Sequence, residues 1–370
     1  MKAKILVTGG AGFIGSHLTR ELLATGYAVR VLDAMDAQVH GFATRPGYLD
    51  PNAELMVGDI CDRDCVRRAL EGIDMVCHLA AKVGVGQSMY QIARYTEGNE
   101  LGTAILLEQL VDAGVRKLLV ASSMSIYGEG LAKIGSQLVE PPQRSLNQLK
   151  AGDWEPRSSE GERLEPVPTP ESKSPSVSSV YALNKYAQER MCLIWGNAYG
   201  RDVTAMRFFN VYGRDQALSN PYTGVLAIFG ARLLNGRPPI IFEDGLQRRD
   251  FVHVTDVARA CRLALESPAA AGHAINVGSG ESRTVQDVAH TLARAMGRND
   301  VSPQIIGKYR AGDIRHCFAD IALARMQLSF EPQVTFEDGI AELVEWLIEQ
   351  VATDNVEQAT EELSRRGLVA

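Results

Sequence analysis

The chain has 370 residues, 45% of them hydrophobic, and its 38 basic and 45 acidic residues give a formal net charge of −7. Length and composition predict a globular protein of about two domains or one large α/β unit. No basic run stands out, which argues against nucleic acid as a partner. The sequence shows no charged leader and no apolar stretch long enough to span a bilayer, so we expect no membrane partner and a cytoplasmic location.

The segment from Lys4 to Leu18 predicts a buried strand, a glycine-spaced turn and an apolar-periodic helix. Gly9, Gly12 and Gly15 recur every three residues, which permits a tight turn, a close approach to a pyrophosphate and packing of the helix on the strand. The N–H groups and the dipole at the start of this helix favour phosphate. The pattern indicates a dinucleotide-binding site.

A second predicted strand, residues 28–32, ends in Asp33, about 20 residues beyond the glycine turn, as a dinucleotide site requires. A carboxylate at this position accepts hydrogen bonds from a ribose diol and repels a 2′-phosphate. Asp33 therefore favours NAD over NADP.

Strand-like runs alternate with helical patterns through the first 210 residues. This alternation predicts an α/β fold with a doubly wound parallel sheet (Rossmann). The predicted strands are 4–8, 28–32, 54–57, 74–79, 117–122 and 203–208, and the predicted helices lie near 13–25, 62–71, 99–113 and 180–199.

Residues 129–178 interrupt the alternation with seven prolines, and we expect mostly extended loop there, with a lid as one possible role. Beyond residue 210, helices are expected near 223–235, 254–267, 284–296, 320–328 and 336–350, with a short strand at 239–242. The predicted domains are thus a dinucleotide-binding domain over 1–210 and a smaller α/β substrate lobe over 211–350, not strictly contiguous. A helical tail over 351–370 is expected to pack on the body or on a partner subunit.

The six cysteines are dispersed and fall mostly in apolar segments, which predicts reduced core residues. The histidines at positions 17, 78, 253 and 316 are scattered as well, and we expect structural roles for them. No metal is expected.

The candidate catalytic residues lie at the end of the fifth predicted strand and on a later helix. This strand ends in Ser122 and Ser123, and a later helix carries Tyr181 and Lys185 four residues apart on one face. An ammonium beside a phenol stabilises the phenolate and lowers its pKa, which makes Tyr181 a plausible general base. Lys185 could also hold the nicotinamide ribose, and a serine at the strand end could bind the reacting hydroxyl.

In this order, the glycine loop, the acidic strand end, the serine-bearing strand and the Tyr-x-x-x-Lys helix resemble the extended short-chain dehydrogenase/reductase family from residue 1 to about 350. The resemblance implies that Asn99 braces the active site and that Lys185 and Tyr181 contact NAD. It places further cofactor contacts at Phe13, Ile14, Asp59, Ile60, Leu79, Ala80, Ala81, Lys82, Ser122 and Phe208.

The same resemblance implies a substrate site. Asn210 would touch the substrate's phosphate or sugar beside Ser123, Arg249 would face a diphosphate, and Arg310, in a closing motif that ends at Asp313, would be the second guanidinium. Two guanidiniums can each donate paired hydrogen bonds to phosphate oxygens, which indicates a nucleotide-diphosphate sugar as substrate.

The residues after Ser123 reduce the number of reactions that the family resemblance leaves open. Family 4,6-dehydratases carry an Asp-Glu pair there, whereas this chain has Met124 and Ser125, which cannot exchange protons usefully near pH 7. Family reductases usually bind NADP, against which Asp33 argues, and redox-sensing members typically lack the tyrosine or the lysine. The remaining reaction is 4-epimerisation through a transient 4-keto sugar.

Residues 217–225 and the proline-rich segment resemble most the dTDP-L-rhamnose 4-epimerase type, with UDP-hexose or UDP-hexuronate 4-epimerases as the alternative. A 4,6-dehydratase (lyase) is the alternative from another class. The helices near 99–113 and 180–199 resemble those that form a four-helix interface in this family, so a homodimer is expected.

Overall fold

The computed structural model describes residues 3–41 and 44–370. Its centre is a seven-stranded sheet in which every neighbouring pair is parallel, with the strand order β7-β6-β5-β4-β1-β2-β3. The strands are β1 Lys4–Thr8, β2 Ala28–Asp33, β3 Glu54–Val57, β4 Met75–His78, β5 Lys117–Ser123, β6 Asp202–Phe208 and β7 Ala274–Val277. The doubly wound parallel sheet is confirmed.

Helices cover both faces of the sheet because its strands are apolar on both sides. On one face lie Phe13–Ala24, Val254–Glu266 and Ala322–Leu328; on the other lie Arg63–Ala69, Gly102–Leu110 and the 20-residue helix Val180–Tyr199. Each face has its own buried apolar cluster, and β1 contributes Ile5 and Val7 to one cluster and Leu6 to the other.

Strand β7 and the helix Val254–Glu266 follow the predicted boundary at residue 210 and still belong to the central layers. The chain therefore returns from the second lobe to the sheet. The second lobe has a separate apolar cluster, built mainly by the helices Val225–Leu234, Val285–Ala295 and Phe336–Leu347.

The remaining elements are short. They include the helices Ala37–His40, Val85–Ser88, Ile92–Thr96 and Leu146–Lys150, the π-helix Glu97–Leu101, the 3₁₀ turns Met124–Tyr127 and Pro268–Ala270, and the tail helix Val356–Arg365. Small sheets pair Asn210–Tyr212 with Phe251–His253, Ile240–Ile241 with Gln304–Ile305, and Arg248–Arg249 with Arg283–Thr284 and His316–Cys317.

The proline-rich segment is more ordered than a plain loop. Ala132–Ile134 pairs antiparallel with Gln137–Val139 and Glu165–Pro166. A buried ion cluster fixes the segment: Arg144 donates to Glu129 (3.1 Å), to Glu243 (2.8 Å) and to the carbonyl of Asp313 (3.1 Å). None of its residues lines the cleft at the carboxyl ends of the central strands, and a role as a lid stays a prediction.

All six cysteines are free, and five of them are buried. His17, His78, His253 and His316 are buried and hydrogen-bonded. Within the described ranges, no helix combines the length and the apolar character needed to cross a bilayer.

Candidate active site

A cleft of about 1180 Å³ runs along the carboxyl ends of β1, β2, β4, β5 and β6. It includes the point between β1 and β4 where the strand order reverses, which is where open α/β sheets bind their ligands. The glycine loop, Asp33, the serine strand, Tyr181 and both candidate arginines all line this one cleft.

The glycine loop has little room for side chains. Gly9 has a φ of +69°, and a Cβ there would lie 2.8 Å from the amide nitrogen of Ala80. A Cβ on Gly15 would overlap the carbonyl oxygen of Gly9 and lie 2.6 Å from the Cα of Gly10. Only one atom, the Gly9 oxygen at 3.3 Å, would lie near a Cβ on Gly12, which faces the cleft at the helix start. This cradle fits a dinucleotide pyrophosphate, and Phe13 and Ile14 beside it line the cleft as well.

Asp33 lies at the end of β2 and supports the glycine loop. Its Oδ2 accepts a hydrogen bond from the backbone N–H of Ala11 (3.0 Å), and its Oδ1 accepts one from Met35 N–H (2.9 Å). Each carboxylate oxygen can accept a second hydrogen bond. The carboxylate can therefore bind a ribose diol while it holds the loop.

Asn99 is not among the residues that line the cleft and lies behind its wall. It is fully buried in the π-helix, its Oδ1 accepts from Lys82 N–H (2.6 Å), and its Nδ2 donates to the carbonyl of Lys82 (3.1 Å). The structure thus makes Asn99 a brace for the Leu79–Lys82 turn, whose four residues line the cleft together with Asp59 and Ile60.

Asp36, which the sequence analysis did not single out, fixes the Lys82 side chain. It pairs with the Lys82 ammonium and with Arg94 (2.8 Å). Burial raises the pKa of the Asp36 carboxyl, but hydrogen bonds from Lys82 and Gln38 outweigh burial and lower the pKa to about 2. Asp36 is therefore ionised near neutral pH and offsets one of the two positive charges of Lys82 and Arg94.

The reacting centre brings Ser123 and Tyr181 together. Ser123 lowers the pKa of the Tyr181 hydroxyl, and its Oγ accepts a hydrogen bond from Ser125 Oγ (2.9 Å). The backbone N–H of Tyr181 donates to Ser88 Oγ (3.0 Å), which fixes the start of the long helix. Ser122 donates to Glu189 (2.6 Å) and supports the strand end.

The structure differs from the expected effect of Lys185 on Tyr181. Burial raises the pKa of the Tyr181 hydroxyl above its usual value, and Ser123 opposes this rise. Lys185 Nζ donates to Gln188 Oε1 (2.9 Å), and burial lowers the Lys185 pKa to about 8 although the Glu189 carboxylate opposes this shift. Helical spacing predicts that Tyr181 and Lys185 lie on one face of the helix, but it does not reveal that burial has the largest effect on the pKa of each.

Arg249 and Arg310 line one part of the cleft, which we call its substrate half after the predicted role of the two arginines. Arg310 donates twice to Asp313 Oδ2 (3.0 and 2.8 Å), and Arg249 lies 3.6 Å from Asp313 Oδ1. The two guanidiniums therefore lie on different oxygens of one carboxylate, and the same arrangement suits an anion that accepts hydrogen bonds from two sides. Arg249 also donates to the carbonyls of Arg315 (2.8 Å) and Ile314, which fixes its plane.

Two amide oxygens in the cleft have no hydrogen-bond partner among the described residues: Asn210 Oδ1 and Gln247 Oε1. Buried polar atoms are nearly always satisfied, so each is a candidate contact for a polar ligand. Phe208, nearly buried, lines the cleft nearby. Gln247 was missed in the sequence because a single amide carries no distinctive spacing.

A glycine cradle, an acidic strand end and a Tyr-Lys pair at the edge of a parallel sheet together define a nicotinamide-dinucleotide-dependent enzyme. The profile of the NAD dependent epimerase/dehydratase family matches residues 5–148 and 158–278, and the chain belongs to this family. It is an NAD-dependent enzyme, and the resemblance stated from its motifs is confirmed.

Relatives cover nearly the whole chain. A dTDP-L-rhamnose 4-epimerase of Burkholderia thailandensis is 36% identical over 363 residues, which span 95% of this chain and 97% of the relative. The solved UDP-glucose 4-epimerase of Thermotoga maritima, with UDP-glucose, has a TM-score of 0.76 and 32% identity over 94% of this chain and 99% of its own. The Thermus thermophilus UDP-glucose 4-epimerase in complex with NAD has a TM-score of 0.74 and 31% identity over 94% of this chain and 100% of its own.

Proposed function

We propose that this protein is a nucleotide-sugar 4-epimerase that acts through a transient 4-keto sugar, with dTDP-L-rhamnose or its 4-epimer as substrate. The observation that carries the reaction type is the environment of Ser123. Met124 and Ser125 occupy the two positions after it, and Ser125 Oγ donates to Ser123 Oγ. No carboxyl group stands there to eliminate water, whereas the tyrosine that serves oxidation at C4 is present.

Tyr181 removes the proton from O4 of the sugar, and Ser123 holds that hydroxyl in place. NAD, when bound, would accept the hydrogen at C4 as a hydride and return it to the opposite face of the keto sugar. Tyr181 later returns its proton to O4 once the keto sugar has presented its other face. Since the phenol pKa is raised by burial, proton removal depends on positive charge brought close to the ring.

Arg249 and Arg310 hold the diphosphate while the sugar turns, so the keto sugar stays bound. This is catalysis by positioning, since the second half of the reaction requires the same molecule in the same site. Asp313 is displaced from one or both guanidiniums when the diphosphate binds.

The dTDP-L-rhamnose assignment rests on the Burkholderia thailandensis relative, which matches almost end to end. The Thermotoga maritima structure holds UDP-glucose, so a UDP-hexose is the second candidate. We further propose a cytoplasmic homodimer. Free cysteines fit a reducing compartment, and apolar side chains at Leu101, Leu183 and Ile194 are exposed on the helices expected at the interface.

The test incubates NAD-loaded protein separately with dTDP-L-rhamnose, UDP-glucose, UDP-glucuronate and dTDP-glucose, and reads the products by NMR. A 4-epimer of dTDP-L-rhamnose, without net NADH, supports the proposal. A 4-epimer from a UDP-sugar alone would transfer the assignment to that sugar. Accumulation of a 4-keto-6-deoxy product from dTDP-glucose would show a dehydratase and refute epimerisation.

A further inference from the structure

The tail, residues 351–370, lies over the substrate half of the cleft. Its helix Val356–Arg365 and the residues after it contribute apolar side chains and one threonine to the same cleft that the catalytic tyrosine lines: Val356, Ala359, Thr360, Leu363 and Leu368. A segment packed elsewhere on the body would not meet this cleft. The tail is therefore part of its wall.

The start of the tail is tied to the second lobe. The Asp354 carboxylate, buried, pairs with Arg232 at 3.1 Å, and Asn235 Nδ2 donates to the carbonyl of Ala352 at 2.8 Å. Asn355 Nδ2 donates to the carbonyl of Ser219, also at 2.8 Å. These contacts fix the direction in which the tail helix leaves the lobe and crosses the cleft.

The middle of the tail meets the catalytic end of the cleft. Leu363 is only 6% exposed and lies on Gly86, where an added Cβ would be 3.2 Å from the leucine Cδ1. Gly86 belongs to the helix Val85–Ser88, whose Ser88 binds the backbone of Tyr181. Leu363 thus covers the helix that positions the catalytic tyrosine.

The last residues of the tail pair with the segment that carries Arg310. Tyr309 N–H donates to the carbonyl of Ala370 (2.9 Å), Ala311 N–H donates to that of Leu368 (2.9 Å), and Ala370 N–H donates back to Tyr309 (3.2 Å). Val369, 5% exposed, lies opposite Arg310 in this short antiparallel bridge. The pairing fixes the backbone on both sides of the candidate diphosphate arginine.

We propose that residues 351–370 are a substrate-positioning strap: residues 368–370 hold Arg310 in place for the diphosphate, and Leu363 forms an apolar wall at the sugar end. The proposal rests on the proposed function. Its physical basis is preorganisation, because a guanidinium on a fixed backbone loses less conformational freedom when the diphosphate binds. The strap lies in the substrate half of the cleft, so cofactor binding does not depend on it.

Two changes separate the two ends of the strap. A chain that ends at Arg366 lacks the bridge to Arg310 and keeps the tail helix. Leu363→Ala removes the wall and keeps the bridge, and Leu363→Met restores apolar volume. Glu361→Ala is the matched control, since this side chain is 69% exposed and its ion pair with Arg365 is long, at 3.6 Å.

Calorimetry on the NAD-loaded proteins measures their affinity for TDP and for UDP, which tests the diphosphate end of the strap. Steady-state kinetics give KM and kcat for the nucleotide sugar that the intact chain converts, which tests the sugar end of the strap. The chain ending at Arg366 is expected to bind the nucleoside diphosphate at least tenfold more weakly with unchanged NAD content. Leu363→Ala is expected to raise KM for the nucleotide sugar several-fold, with kcat and nucleoside-diphosphate affinity nearly unchanged, and Leu363→Met is expected to reverse most of this rise.

Equal nucleoside-diphosphate affinity in the shortened and intact chains overturns the role of residues 368–370. If the shortened chain does not fold, the Leu363 pair decides: equal KM values for the alanine and methionine variants and the intact chain overturn the strap. Loss of NAD content in step with nucleotide affinity reveals a general structural role and also overturns it. An intact chain that binds neither TDP nor UDP refutes the proposed function itself, and the strap with it.

Discussion

Gly12 and Gly15 lie three residues apart in the cofactor cradle, and alanine is expected to have different effects at the two positions. At Gly12 it should weaken NAD binding with little change in folding stability, whereas at Gly15 it should destabilise the fold. Gly12→Ala places its methyl group toward the cleft, with only the Gly9 oxygen nearby at 3.3 Å, and the Gly12 backbone (φ −73°, ψ 178°) suits alanine. Folding stability should therefore change by less than about 1 kcal/mol. Gly15→Ala places its methyl group into backbone atoms that cannot move aside, and we expect a loss of about 3 kcal/mol in the free energy of unfolding.

NAD affinity is expected to fall most clearly in the stable variant. A methyl group on Gly12 displaces the pyrophosphate from the helix start and weakens one hydrogen bond to a charged group, about 1.5–3 kcal/mol, or roughly ten- to hundredfold in dissociation constant. Denaturant unfolding and NAD titration of both variants check the pair. Unchanged NAD affinity in Gly12→Ala, or equal losses of stability in the two, would refute this description of the cradle.

Three further outcomes follow from the site. Tyr181→Phe should lower kcat by about 10²–10⁴ with NAD content intact, because the proton acceptor is lost, whereas Tyr199→Phe on the same helix should leave kcat unchanged; equal kcat for Tyr181→Phe and the native chain would remove Tyr181 from the mechanism. Asp33→Ala should reduce the preference for NAD over NADP, measured as the ratio of the two dissociation constants, and an unaltered ratio would count against a ribose contact. Leu183→Glu combined with Ile194→Glu should yield monomers in analytical ultracentrifugation, since both side chains are about half exposed on the proposed interface helix; an unchanged sedimentation coefficient would exclude this helix as the interface.

Most of the central sheet could be predicted because its strands are short apolar runs between helical patterns. Strand β7 could not. It has only four residues, and Asn276 interrupts the apolar run although it is fully buried. Its Oδ1 accepts from Tyr127 (2.7 Å), and its Nδ2 donates to the carbonyls of Thr169 (2.9 Å) and Asp320 (3.1 Å). A polar residue satisfied by three distant segments has no signature in its local sequence.

The candidate site also has residues that the sequence pattern locates and contacts that it does not. Gly9, Asp33, Ser123 and Tyr181 follow patterns in which position along a strand or helix fixes location, and they line one cleft. The partners of charged groups depend on tertiary packing instead. The pairing of Lys82 with Asp36 is an example, because the two residues are 46 positions apart and lie in two separate loops.

The segment around Arg310 shows how two regions with weak sequence patterns can serve one site. The proline-rich insertion reaches it through Arg144, which holds the carbonyl of Asp313, and the tail reaches it through the bridge at Leu368–Ala370. Neither region supplies the guanidinium: the tail fixes the backbone on both sides of Arg310, and Arg144 fixes it three residues further along, at Asp313. Because Arg310 lies in a segment without helix or strand of its own, its direction depends on these contacts. The insertion and the tail are thus expected to affect substrate affinity more than cofactor binding.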